Sequence, residues 1–469
     1  SDSVASAIFS RAQLKKTQQE KPSKIAYAIS LIKCGDHQST PEGMLDAATV
    51  LRHSVHQTSS RNPASGSKYD YEMYALVHRQ AETCSQELIQ VGYKVLVVDP
   101  PVNPKDIRGE FLRNNIHSEW CCGSDEFIKL YAYDLTDHPL VVHLDLDFMM
   151  VKPMDILFDA MLSQGTNNPQ RKSLLKSLWD RVELQYPEQN RSVFSLAQRN
   201  FINAAVTRDY PDIGPGRIPG FQAGFIVLRP NHNIVQQYVD FILEGNFVPG
   251  FEFLKNGWGG KGYGGFVGAK AMQGVVAYFY DIIQPQTSVE LNSCRYNYMA
   301  ADVKYREGGK SWQNKNRGFI GKCRSGQEFC EDCTQTDLSL VYNVHFTNCR
   351  KPWTCPSKGF NSRSGIINYD INPRLVNETK INMGGLSTYI DLSNTPYENC
   401  MKVHQMWHKY RSDLEDKLYR ITKDQSIIST RHGEFEKEFY LGHCEDIGKY
   451  TSMNIYQNAT LSRLKEIWI

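Results

Sequence analysis

Apolar residues in the first third of the chain come in short, nearly continuous runs, separated by stretches of helical spacing. That is the pattern of strands buried on both faces and connected by helices. Lys24 to Lys33 (KIAYAISLIK) is the first such run, and Cys34-Gly-Asp ends it. Gly43 to Gln57 has helical spacing, Pro63 to Lys68 is a loop, and Tyr71 to Val77 is a second strand. A helix through Gln80 to Val91 and a third strand at Tyr93 to Val98 follow, and Pro100, Pro101 and Pro104 close the unit. This alternation predicts an α/β fold with a mostly parallel sheet. Phe127 to Leu135 reads as a helix feeding the most apolar strand, where Val141, Val142 and Leu144 lead into Asp145 and Asp147, and Pro153 starts a short helix.

Beyond Met161 the chain turns polar as far as Pro219, with helical pieces at Leu174 to Leu184 and Val193 to Arg199. Such a detour between core strands shapes an acceptor pocket rather than carrying the fold. Gly220 to Pro230 (GFQAGFIVLRP) is again a strand, with Ala223 and Gly224 allowing close approach of a ligand or backbone. Asn231 to Leu243 is a helix. Gly257 to Gly268 is either a mobile acceptor loop or an exposed linker, and it lacks the G-x-G-x-x-G of a dinucleotide fingerprint. Val275 to Tyr280 continues a helix begun near Ala269, Leu291 to Met299 is a core segment, and Ser339 to Phe346 is a strand ending on His345. In the amphipathic helix Tyr397 to Arg420, Met401, His404, Trp407 and Tyr410 form a packing stripe.

The 469 residues are 41% hydrophobic and 22% charged, with a formal net charge of +2. That is ordinary globular composition, and it offers no bulk electrostatic reason for a nucleic-acid or membrane-surface partner. No apolar run is long enough to span a bilayer, and any anchor would lie outside this chain. Of the 12 cysteines, Cys323, Cys330, Cys333, Cys349 and Cys355 lie close together, the mark of a disulfide-stapled region in an oxidising compartment. The rival reading is zinc at the C-x2-C of Cys330 and Cys333. Sequons at Asn190, Asn377 and Asn458 agree with a secretory lumen.

Acids at the carboxyl end of a buried parallel strand sit where such sheets bind ligands. A turn after Asp145 brings both carboxylates onto one hard cation, which a diphosphate needs for neutralisation. Alone the triplet is a weak signal, because a chain of this length holds about one or two by chance.

Further motifs follow in a fixed order: Lys129-Leu130, then HLDLDFMMVKP, then MDILFD, then Phe221-Gln-Ala-Gly-Phe-Ile-Val227, then LNSCRYNYM, and HFTNCRKPW at His345 to Trp353. In that order they resemble the glycogenin-like retaining glycosyltransferases, family 8 of the GT-A fold. The resemblance runs from about Lys24 to Trp353. It implies a Rossmann-like mixed, mostly parallel sheet flanked by helices, with a helical C-terminal extension. The expected organisation is a stem or tail at 1–22, a GT-A domain at 23–355 (donor half about 23–160, acceptor half about 161–355) and an extension with amphipathic helices at 356–469.

The same resemblance implies Asp145, Asp147 and His345 as ligands of Mn2+ or Mg2+, and Lys129, Asp145, Asn348 and Lys351 around a nucleotide-sugar donor, UDP-linked. Gln222, Gln273 and Lys351 would serve the transfer itself. The acceptor would be a hydroxyl of a glycan, glycoprotein or glycolipid, and the place the secretory lumen, in the Golgi. Three departures stand out: Asn348 replaces a small residue, Gln222 an asparagine, and Met272-Gln273 an Asp-Gln pair. Two other readings stay open, a haloacid-dehalogenase-type phosphatase with Asp145 as nucleophile, and a non-catalytic relative that binds nucleotide sugar or glycan.

Overall fold

The computed structural model describes residues 22–35, 41–118, 123–165, 167–199, 201–210, 218–250, 255–300, 323, 330–355, 382–383, 386–387, 396–431, 443–446, 449–453, 463 and 466–468. The stem expected at 1–22 and the start of the extension expected at 356–469 fall almost wholly outside them, as do Cys121, Cys122, Asn377 and Asn458.

The first half alternates as its apolar runs dictate: β1 (Lys24–Leu31), α1 (Pro41–Gln57), β2 (Asp70–His78), α2 (Ser85–Gln90), β3 (Lys94–Val98), α3 (Glu110–Asn115) and, after a 3-10 helix at Gly123–Asp134, β4 (Val141–Leu144). Next come β5 (Phe148–Met150), α4 (Asp155–Leu162), α5 (Pro169–Trp179), α6 (Asn190–Gln198), β6 (Ala204–Arg208), β7 (Phe221–Leu228), α7 (His232–Glu244), α8 (Met272–Tyr278), β8 (Ser288–Glu290), β9 (Asn343–His345) and α9 (Pro396–Thr422). The seven-stranded sheet has the order β8-β6-β7-β4-β1-β2-β3. All neighbours are parallel except β7, which is antiparallel to both β4 and β6. This is the mixed, mostly parallel sheet flanked by helices that the sequence pattern implies. Because β7 runs backwards, its first residues lie at the same edge as the last residues of β4 and β6.

Period-two alternation sorts the core. Ile25, Tyr27 and Ile29 of β1 face the layer of α1, α4, α5 and α6, where they meet Leu51, Leu157 and Trp179. Ala26 and Ala28 face the layer of α7 and α8, with Tyr238, Val275 and Val276. Both faces are covered, so β4 and β7 are buried at every position. A third apolar cluster joins Met149, Val344, Phe346 and Trp353 to Val403 and Trp407 of α9, so the packing stripe on that helix is real at His404 and Trp407, both buried.

Several expectations shift. The stretch at Gln80 to Val91 is a 3-10 helix (Arg79–Cys84) before α2, and Phe127 to Leu135 is 3-10 as well. The polar detour contains β6, a short strand of small residues whose alternation is masked by its brevity. Leu291 to Met299 is buried but folds as turns, the edge strand β8 preceding it. β9 pairs antiparallel with β5 outside the main sheet, His345 opposite Phe148. The Gly257 to Gly268 stretch is not an exposed linker, since Trp258 and Tyr263 are buried and Gly257 (φ 72°) sits where any Cβ would strike the backbone of Tyr263 and Gly264. The zinc reading is overturned: Cys330 is bonded to Cys323 and Cys333 to Cys294. The other disulfides among the described residues are Cys34–Cys84, Cys349–Cys400 and Cys355–Cys444, and these five bridges indicate an oxidising environment. Among the described residues no helix is long and apolar enough to cross a membrane.

One buried group is poorly served. His143 of β4 lies between Ala28 and Ile226, 1% exposed, and neither ring nitrogen has a hydrogen-bond partner among the described residues. Burial, seconded by Lys129, pushes its pKa down to about 3. An unmet imidazole N–H costs about 1–3 kcal/mol. His143→Leu is therefore expected to raise stability by ~1–2 kcal/mol in urea unfolding; a destabilised variant would refute this account.

Candidate metal and nucleotide site

β4 ends at Leu144, and Asp145 to Asp147 turn the chain into β5. The turn is pinned on both sides: Asp145 N–H donates to Gly224 O at 2.9 Å, and Phe346 N–H donates to Asp147 O at 2.9 Å. The β5–β9 pairing then stacks His345 on Phe148, ring centroids 4.3 Å apart. One ligand atom each from Asp145, Asp147 and His345 lies within 4.8 Å of the others, a group that can hold a metal ion.

The surroundings of His345 decide which ring atom faces that gap. Asn297 Nδ2 donates to Thr207 Oγ1 at 2.7 Å, which leaves Asn297 Oδ1 to accept from His345 Nδ1–H at 2.9 Å. Asn297 is held for this by a left-handed backbone (φ 53°) and by its own N–H, which donates to Asn343 Oδ1 at 2.7 Å. With the proton on Nδ1, Nε2 carries a lone pair. It accepts from the Thr347 hydroxyl at 2.6 Å and faces Asp147 Oδ1 at 3.3 Å. Two acceptors at that separation gain from a cation between them, and a ligating histidine with its other N–H on an amide oxygen is the usual outer support of a metal site. The donor set of two carboxylates and one imidazole suits manganese or magnesium.

Lys129, 7% exposed, places Nζ 2.9 Å from Asp145 Oδ1 and 4.0 Å from Glu126. Burial disfavours ionisation of both aspartates, yet both pKa values fall below the ordinary carboxylate range. Lys129 outweighs burial at Asp145, and Lys351 acts in the same direction at Asp147. Both acids therefore stay ionised without a metal, ready to bind one.

Gly224 is where these groups meet. A Cβ there would lie 2.6 Å from Asp145 Oδ2, 2.8 Å from Gln222 Oε1 and 2.8 Å from His345 Cε1. Gly224→Ala is expected to weaken manganese binding roughly 10–100-fold with far-ultraviolet circular dichroism unchanged; wild-type affinity would show that the three side chains yield easily. Gln222 is 4% exposed, its Oε1 accepting from Gly224 N–H at 2.6 Å, so its NH2 group is the part left for a ligand. Asn348, 6% exposed, has a buried Oδ1 with no partner among the described residues.

Gln273 stands apart from the metal group. With its amide turned to satisfy its neighbours, the NH2 donates to Phe221 O and to Asp209 Oδ2, both at 3.2 Å. Asp209, 3% exposed, follows β6 and anchors its N–H on Gly220 O at 3.0 Å. A carboxylate thus stands at the same end of the sheet as Asp145, on the far side of β7 and opposite Gly220, whereas Asp145 lies opposite Gly224. Sequence reading missed Asp209 and Thr207, since β6 itself was missed. Asn297 lay inside LNSCRYNYM, where its role was not drawn out.

No protein-family profile matches the sequence, and no curated protein matches it. Solved structures do. Its structural neighbours are family 8 glycosyltransferases of the GT-A fold. Mouse xyloside xylosyltransferase 1 is 11% identical with a TM-score of 0.33, over 69% of this chain and 97% of that one. The galactosyltransferase LgtC, solved with donor and acceptor sugar analogues, is 11% identical with a TM-score of 0.31, over 70% of this chain and 89% of that one. The glycosyltransferase GlyE of Streptococcus pneumoniae is 12% identical with a TM-score of 0.34, over 73% of this chain and 58% of that one, so the chain spans a little over half of that protein. At such values the functional reading rests on the site itself.

Proposed function

We propose that this chain is a metal-dependent, retaining glycosyltransferase that moves a sugar from a nucleoside diphosphate, UDP, to a hydroxyl of a glycan, glycoprotein or glycolipid in the secretory lumen, in the Golgi. One observation carries the reading: Asp145, Asp147 and His345 bring their ligand atoms within 4.8 Å at the carboxyl edge of the sheet, between Lys129 and Lys351. A divalent cation bound there supplies the charge that a departing diphosphate requires.

The chain's own residues do the rest. Lys351 and Lys129 add positive charge on either side of the aspartates, and in a site that excludes water such fixed charges lower the barrier most. The Gln222 amide holds the sugar beside the metal. Gln273 steadies Asp209, and that carboxylate meets hydroxyls on the acceptor side. Gln222 and Gln273 are amides and cannot act as a carboxylate nucleophile, so retention proceeds on one face, the leaving phosphate taking the acceptor proton. A covalent glycosyl adduct on Asp209 would replace this with a double displacement.

Calorimetry with UDP, with and without manganese, tests the core of the reading, and hydrolysis of a panel of nucleotide sugars names the donor. Metal-dependent UDP binding is the expected result. Its absence, together with release of phosphate from an aryl phosphate, would transfer the site to the phosphatase reading; binding without turnover of any sugar would favour the non-catalytic one.

A further inference from the structure

The segment from His345 to Trp353 contains a metal-site residue and both Asn348 and Lys351, and α9 grips it along one helical face. Cys400, His404 and Trp407 are spaced i, i+4 and i+7 on that helix. Cys400 is disulfide-bonded to Cys349. His404 Nε2 donates to Cys349 O at 2.7 Å and to Arg350 O at 3.1 Å, and its ring meets Phe346 edge-on at 5.6 Å. Trp407 packs on Trp353 with centroids 5.8 Å apart. Two residues beyond Trp353, Cys355 is tied to Cys444.

Within this grip the backbone makes an unfavourable turn. Arg350 has φ 60°, a left-handed conformation that a side chain other than glycine's disfavours. That turn presents two successive carbonyls to one side, and a single imidazole N–H bridges them. His404 is fully buried, so water cannot substitute. Burial pushes its pKa down to about 4, leaving a neutral ring with one proton to donate.

We propose that His404 is a positioning residue of the donor site: through the carbonyls of Cys349 and Arg350 it fixes the turn that aims Asn348 and Lys351 at the diphosphate, which makes the C-terminal helix part of the nucleotide-binding machinery. The inference rests on the glycosyltransferase reading.

Two variants separate shape from hydrogen bonding. His404→Phe keeps a ring against Phe346 and has no donor, whereas His404→Gln keeps an N–H near the same reach. His404→Leu stands in should the phenyl ring prevent folding. Each is read by hydrogen exchange of a peptide spanning 346–354 without nucleotide, by calorimetry with UDP and manganese, and by the thermal midpoint. In His404→Phe, exchange in that peptide is expected to rise at least tenfold while β1 and β4 stay protected, UDP affinity to fall at least tenfold, and the glutamine to restore both. Faster exchange with wild-type UDP affinity would overturn the inference and leave His404 a stabilising contact. Unchanged exchange, or no rescue by glutamine, would overturn it too. Absence of UDP binding by the wild-type chain would overturn the glycosyltransferase reading as well, and so is distinguishable from a failure confined to His404.

Discussion

Asp147→Asn is expected to abolish the stabilisation that manganese confers and to weaken metal-dependent UDP binding by at least about a hundredfold. The substitution keeps the side chain's size and removes its charge, so the effect reads electrostatics rather than packing. Asp147 is the carboxylate facing His345 Nε2 at 3.3 Å, and its ionised form is favoured by Lys351 despite burial. A neutral amide leaves Asp145 as the one anion of the group, and Lys129 at 2.9 Å already neutralises that. A ligand at a hundred times its dissociation constant adds about 2.7 kcal/mol to stability. Thermal unfolding with and without manganese measures that increment directly. In the variant the two curves should coincide, whereas a retained manganese shift would remove Asp147 from the metal site.

Arg411→Ala is expected to cost the fold about 3–5 kcal/mol. Arg411 is completely buried on α9 and bonds Glu415 Oε1 at 3.1 Å and Thr451 O at 2.7 Å, with Asp46 of α1 at 3.5 Å. Asp46 also accepts from the Tyr450 hydroxyl at 2.7 Å and from Met453 N–H at 2.9 Å. Truncation leaves two buried carboxylates short of their shared cation, which is far costlier than losing a surface pair. Guanidinium unfolding of the two proteins checks the value, and a loss under 1 kcal/mol would mean that water or a rearranged Arg431 compensates. His443, whose Nε2 lies 3.1 Å from Glu415 Oε2, gives the same cluster an acid limit. Burial, then Arg411, pushes His443 down to about 4. Between about pH 6.5 and 4 the unfolded chain therefore binds a proton that the folded chain refuses. Stability should fall with pH in that window, by up to about 1.4 kcal/mol per pH unit from this one group, and the fall should level off below it.

The donor-side half of the sheet was legible because its signals are local. β1, β2 and β4 are short, largely apolar runs buried on both faces, so pattern and structure agree within a residue or two. Asp145, Asp147 and His345 were legible through short motifs in a fixed order. Their convergence depends on an antiparallel ribbon, β5 with β9, that brings together residues nearly 200 positions apart, and no local pattern encodes that. β6 was hidden because small residues such as Ala204 and Ala205 carry little strand signal, and Asp209 was hidden with it. Gln273 was read as free to touch a sugar, but its amide is taken up by Phe221 O and Asp209, contacts set by how α8 lies on β7. The cysteine count indicated oxidation, while pairing over distance needed the fold: Cys330 and Cys333, spaced like zinc ligands, point to different partners.

Cys349 and Cys355 find their partners 51 and 89 residues further along the chain. In a growing polypeptide Asp145, Asp147 and His345 are thus made before the thiols of Cys349 and Cys355 have anything to join. Locking of that turn waits for later-made residues and for oxidation. Until Cys444 has been made and oxidised, the turn beside His345 lacks its second covalent tie, so the geometry of the candidate metal site depends on thiol oxidation as well as on folding.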